Sequence, residues 1–180
     1  QRRHRRVRTV AAQRRHRLPA GDRGERDGRL ARNEGADPSD ARSGQRRGHR
    51  QLGLARRAID LAKSFGRDRK VLGKPILEHQ GLSFPLADIL TKIHAAELMV
   101  RNSATLVDEG RPFRNETGMT KLFASELAVE AALKAIQVHG AYGVFEEYPV
   151  SGLLGEAKVL EIVEGTSEIQ RLVIARELLD

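Results

Sequence analysis

The residue with the clearest chemical potential is Glu164, in the stretch Glu164-Gly165-Thr166-Ser167-Glu168-Ile169-Gln170-Arg171. An apolar segment precedes it and an apolar periodic run follows it to the C-terminus. Thr166 or Ser167 can cap the free N–H groups of the next helical turn, and Ser167 with Gln170 has capping-box spacing. Gly165 has no Cβ, so a ligand or another backbone segment can come close there. The pattern presents a carboxylate at a helix start beside a small gap, a place where a general base can meet a substrate. Taken alone, a glutamate in this position equally serves to complement the helix dipole.

Other candidates are bland one by one. Arg69 reads as a solvated loop charge, Gln80 and Gln137 as polar residues at helix ends, and Tyr148 as a packed ring with a satisfied hydroxyl. His79, His94 and His139 have no metal-ligand spacing with one another or with carboxylates, so no metal site is expected. The absence of cysteine excludes disulfides, thiolate chemistry and Cys-based zinc sites.

The elements that must position these residues are helical. Leu52, Leu54, Ala58, Ile59, Leu61, Ala62 and Phe65 recur at helical spacing, and Gly66 reads as the end of that helix. Residues 67–75 form a link punctuated by Gly73 and Pro75. A long helix is expected over 76–109, burying Leu86, Ile89 or Leu90, Ile93, Ala96 and Val100, with Pro85 as a kink or first-turn residue. A third helix over 117–139 is expected to bury Leu122, Val129, Leu133 and Ile136, with Ser125 on the same face and Gly140 just past its end. A short helix follows Tyr148-Pro149 and runs through Lys158, residues 159–163 read as an apolar link, and a last helix covers 166–179. The expected fold is all-α, an antiparallel helical bundle.

Charge divides the chain in two. Residues 1–50 carry sixteen Arg, no Lys and six acidic residues, a net +10; residues 51–180 carry a net −2. The first segment lacks Ile, Phe, Tyr, Trp and Met and cannot bury enough surface to offset chain entropy, so disorder is expected there. Its Arg clusters suit phosphates but have no interleaved aromatic for base stacking, and nucleic acid is not the expected partner. Its composition is the bias of a GC-rich gene read in the wrong frame, and that is the preferred reading of residues 1–50. No apolar run is long enough to cross a bilayer, and the N-terminus lacks a secretory core, which points to a cytoplasmic protein.

The candidates gain meaning in combination. Arg69-Lys70-Val71-Leu72-Gly73-Lys74-Pro75, Glu78-His79-Gln80, Gln137-Val138-His139-Gly140-Ala141-Tyr142-Gly143, Glu147-Tyr148-Pro149-Val150, Ala157-Lys158-Val159, the Glu164 stretch and Ile174-Ala175-Arg176 fall in one order at consistent spacing. Residues 52–179 thereby resemble the C-terminal helical domain of acyl-CoA dehydrogenases, FAD-dependent enzymes that desaturate acyl-CoA thioesters between Cα and Cβ. The resemblance divides the chain into residues 1–50 and a helical domain over 51–180.

The resemblance implies that Glu164 is the catalytic base, removing the α-proton as the β-hydrogen leaves as hydride to the flavin. Such a base needs an apolar, water-excluded setting and a polarised thioester carbonyl. Gly165 would leave room for the thioester. Arg69 would meet the FAD pyrophosphate. Leu72, Gln80, Gln137, Val138, His139, Gly140 and Ala141, and then Thr166, Ser167 and Glu168, would be further cofactor contacts. Also implied are an electron-transfer flavoprotein or similar acceptor, and a homo-oligomer whose subunits share the cofactor contacts. Leu72 stands where an aromatic is common, Ala141 where a second glycine is common, and Gly155-Glu156 replaces a commoner Arg-Asp pair. The family's N-terminal and middle domains are not visible, so the alternative is a catalytically inactive helical-bundle fragment.

Overall fold

The computed structural model describes the backbone of residues 38–179 and the side chains of residues 48–179. The expectations for residues 1–37 lie outside the described residues. Among the described residues, five α-helices make up most of the fold: α1 (Pro38–Asp68), α2 (Gln80–Asp108), α3 (Arg114–His139), α4 (Val150–Ile162) and α5 (Ser167–Ala175). A two-stranded antiparallel hairpin, β1 (Lys70–Val71) and β2 (Lys74–Pro75), and a 3-10 turn (Ile76–Glu78) join α1 to α2. Further 3-10 turns follow α3 (Gly140–Val144) and α5 (Arg176–Leu178). Among the described residues, no helix is long and apolar enough to cross a membrane.

The first helix begins well before Leu52. Residues 38–50, part of the Arg-rich segment expected to be disordered, are helical. Pro38 suits a first helical turn because its missing N–H is not needed there. Gly48 is buried, and a Cβ on it would stand 2.9 Å from Val100 Cγ2, so the absent side chain lets α1 approach α2. Leu52, Ala55, Ala58, Ile59 and Ala62 then form the buried stripe of α1. Gly66 does not end the helix. It lies inside α1, where a Cβ would meet Leu77 Cγ at 2.6 Å; packing of the returning chain, not termination, accounts for the glycine.

The long second helix divides into the 3-10 turn and α2, with Pro85 inside the helix. Its buried face is Leu86, Ile89, Ile93, Ala96, Val100, Ser103 and Leu106; of the two alternatives, Ile89 is buried and Leu90 is half exposed.

The third helix departs most from the expected stripe. Ala124, Ser125, Leu127, Ala128, Ala131, Ala132, Ala135 and Val138 are buried, whereas Leu133 is 50% exposed and Leu122, Val129 and Ile136 are only partly covered. The reason is position: α3 packs against α1, α2, α4 and α5. A helix with neighbours around much of its circumference carries small residues where backbones come close, so its large apolar residues do not mark the inner face. Residues 159–162, expected as a link, complete α4, and the terminal helix is shorter than expected, giving way to 3-10 geometry at Arg176.

Candidate functional site

Glu164 and Gly165 form the turn between α4 and α5. Glu164 has φ +60° and Gly165 φ +99°, so two consecutive left-handed residues reverse the chain. A left-handed backbone is uncommon for a residue with a Cβ. At Gly165 a Cβ would also fall 2.6 Å from Gln170 Nε2, so the space beside this glycine holds the chain's own Gln170 amide. Glu164 is exposed.

The next helix starts as its residues require. Thr166 is the N-cap, its hydroxyl accepting from the Ile169 N–H at 3.4 Å. Of the capping alternatives, therefore, Thr166 is used. Its hydroxyl also bonds the Glu168 carboxylate. That bond, with help from the Glu168 backbone N–H and then from Arg171 and Lys158, holds the Glu168 carboxyl below its ordinary value. Ser167 is buried, and its Oγ lacks a hydrogen-bond partner among the described residues. Arg171 pairs with Glu126 at 2.5 Å and ties α5 to α3.

One residue that sequence reasoning missed organises this turn. Lys121, on α3, is buried, and its Nζ donates to Glu161 O at 2.7 Å and to Gly165 O at 2.6 Å. The signal was available: Lys121 lies one turn before Ser125 on a face that also carries Ala128 and Ala132, all buried. A lysine in such a row needs polar partners.

The remaining candidates gather elsewhere. Phe65 near the end of α1 stacks on His139 at the end of α3, with ring centroids 4.4 Å apart, and Tyr142 and Tyr148 complete the cluster. Arg69 follows one turn after Phe65, its N–H bonded to Phe65 O. In the hairpin, Leu72 (φ +52°) and Gly73 (φ +81°) are the two loop residues of a type I′ pattern. His79 Nε2 bonds Val71 O at 3.1 Å and braces the hairpin against the start of α2, beside Gln80. Arg69, Leu72, Gln80, Gln137, Gly140 and Ala141 are exposed; Val138 and His139 are buried, and Ala135 O accepts from His139 Nδ1 at 2.7 Å.

The candidates thus form two clusters at opposite ends of one bundle. Lys121 marks the Glu164 end of α3 and Gln137 the other. Sixteen residues separate them, about 24 Å at 1.5 Å per residue.

Both clusters suit a phosphate-bearing cofactor. The start of α5 offers helix N-terminal backbone N–H groups, while the unpartnered Ser167 Oγ lies buried beneath them. At the far end Arg69 is exposed, and no carboxylate among the described residues pairs with it.

Comparison with known proteins identifies the setting of these residues. The family model for the acyl-CoA dehydrogenase C-terminal domain matches residues 45–179. A Bacillus subtilis (strain 168) protein named probable acyl-CoA dehydrogenase YngJ is 48% identical over 128 residues, which is 71% of this chain and 34% of that protein. The chain therefore spans about a third of that relative's length. The structure of butyryl-CoA dehydrogenase from Megasphaera elsdenii is similar with a TM-score of 0.74 at 36% identity, covering 76% of this chain and 36% of that one. The FAD complex of PigA is similar with a TM-score of 0.68 at 28% identity, covering 71% and 33%.

Proposed function

The chain belongs to the acyl-CoA dehydrogenase family, whose C-terminal helical domain it forms, and from that premise we propose that it takes part in FAD-dependent α,β-dehydrogenation of an acyl-CoA thioester. The observation that carries the proposal is Glu164 itself, an exposed carboxylate on a left-handed turn immediately before the α5 N-terminus. Its carboxylate takes the proton from the α-carbon: the Cα–H bond breaks and a carboxyl O–H forms. FAD, when bound, supplies the two-electron acceptor for the hydride that leaves the β-carbon. The left-handed pair at residues 164–165 sets the direction in which the carboxylate leaves the backbone, and the Thr166 cap fixes where α5 begins.

Arg69, Leu72, Gln80, Gln137, Val138, His139, Gly140 and Ala141 form one set of cofactor contacts, and Thr166, Ser167 and Glu168 the other. The guanidinium of Arg69 suits pyrophosphate oxygens. Buried Val138 and His139 serve through their backbone, whereas exposed Gln137 and Gln80 offer side-chain amides. About 24 Å of α3 separates the two sets. That separation supports a homo-oligomer in which one copy's Arg69 set completes the site that begins at another copy's Glu164. An electron-transfer flavoprotein or similar acceptor takes the electrons onward.

A second reading, a helical-bundle fragment without turnover, is favoured by the exposure of Glu164 and by the third of the relatives' length that this chain spans. Flavin absorbance of the purified chain, bleached by an acyl-CoA, supports catalysis, and a colourless preparation supports the fragment. In flavin-loaded protein, Glu164→Gln abolishes bleaching and retains bound flavin; bleaching at the parent rate removes Glu164 from the mechanism.

A further inference from the structure

Among the described residues, Lys121 is the only lysine or arginine in the buried class, and it serves the turn that carries Glu164. Its Nζ reaches Glu161 O at 2.7 Å and Gly165 O at 2.6 Å. The first carbonyl lies in the last turn of α4, where helix geometry leaves carbonyls unpaired and the dipole favours a cation. The second lies immediately after Glu164. One ammonium group therefore grips the chain on both sides of the carboxylate-bearing residue, three residues before it and one after. Gln170 adds a weaker hold, its Nε2 reaching Gly165 O at 3.4 Å. Lys121 itself stands on α3, the helix that contacts every other helix of the bundle, so its Cα is among the best-fixed points available.

We infer that Lys121 is a positioning residue for Glu164: its two hydrogen bonds fix the left-handed residue 164–165 backbone and so the direction of the carboxylate. The inference rests on the reading of Glu164 as the base for its consequence in catalysis, but not for its structural content. A methionine of similar length cannot donate to either carbonyl, and the two-residue turn then loses its tie to α3.

The test is amide hydrogen exchange on the full chain. In Lys121→Met, exchange at residues 163–167 accelerates at least tenfold while the buried stripes of α1 and α2 keep parent rates. Unchanged exchange at 163–167, or an equal acceleration throughout the bundle, overturns the inference. The chain contains no cysteine, so Lys121→Cys can be aminoethylated at that position alone, in denaturant, and refolded. The restored ammonium returns protection to 163–167, and failure to do so in refolded protein counts against the role. Should Lys121→Met not fold, Lys121→Gln, which keeps an N–H donor on a shorter stem, carries the same comparison, again with faster exchange expected at 163–167 only. In flavin-loaded protein, Lys121→Met lowers kcat at least tenfold with KM within threefold. If Glu164→Gln is inactive while Lys121→Met has the parent kcat, the positioning role fails alone. If Glu164→Gln turns over normally, the base assignment fails and the exchange result still decides the role of Lys121.

Discussion

The geometry at Gly165 predicts a cost large enough to measure and separable into two parts. Gly165→Ala places a Cβ on a residue with φ +99°, where side-chain-bearing residues meet a penalty of about 1–2 kcal/mol. The same Cβ falls 2.6 Å from Gln170 Nε2. The amide must swing away, and its bond to Gly165 O is lost, at roughly 0.5–1.5 kcal/mol. Together the loss is about 1.5–3.5 kcal/mol. With a urea dependence of about 2 kcal/mol per molar, the middle of the range for a small protein, the unfolding midpoint falls by roughly 1–2 M. Comparing Gly165→Ala in the parent and in a Gln170→Ala background separates the contributions, because removing the amide relieves the close contact and leaves the backbone penalty in place. About a third to a half of the destabilisation should disappear in the Gln170→Ala background. A single variant within about 0.5 kcal/mol of the parent, or full recovery in that background, refutes the claim that a left-handed backbone is required here.

Two further outcomes concern neighbouring features. Leu72→Asn in the β1–β2 hairpin should stabilise the chain by about 0.5–1 kcal/mol in thermal unfolding, since Leu72 is 89% exposed at φ +52° and Asn-Gly suits a type I′ turn; a lower melting temperature contradicts the turn assignment. For Glu168, a carboxyl held below its ordinary value stabilises the start of α5 above the unfolded glutamate value of about 4.3 and ceases to do so as pH falls through the folded value. Thr166→Val should move the Glu168 carbon-13 titration upward, and an unmoved curve shows that the Thr166 hydroxyl is not its cause.

Legibility in the sequence followed the number of faces each helix buries. On α2, Leu86, Ile93, Ala96 and Val100 are buried where 3.6-residue periodicity places them, even though Phe84, Leu90 and Leu98 on the same helix are exposed. On α3 the same method selects Leu133, which is half exposed, and passes over Ala128, Ala131, Ala132 and Ala135. Small residues carry little weight in a hydrophobicity count, yet they are what a helix packed by four others requires. A helix start just after Glu164, capped at Thr166 or Ser167, is legible because capping chemistry is local; the choice of Thr166 is not. For Lys121 the row of small residues signals a buried lysine in need of partners but not which ones: Glu161 O and Gly165 O lie 40 and 44 residues away and are backbone atoms that no residue type advertises.

Among the described residues, Leu72 and Glu164 are the only non-glycine positions with positive φ. One lies in each cluster, near opposite ends of α3. Neither conformation is offset by burial, for both residues are exposed. Glycine or asparagine adopts either turn at lower backbone cost. Backbone preference alone therefore gives no reason for leucine at one tip or glutamate at the other. Strain of this kind persists where a side chain is needed for something beyond the local fold. At residue 72 the side chain is apolar and projects from a hairpin tip into solvent, which suits a surface waiting to be covered. At residue 164 it is a carboxylate immediately before a helix N-terminus, which suits the proposed proton transfer. The two strained positions thus agree with the proposed division of labour, in which one end of the bundle would bear the base and the other a wall for a site that a second copy would complete.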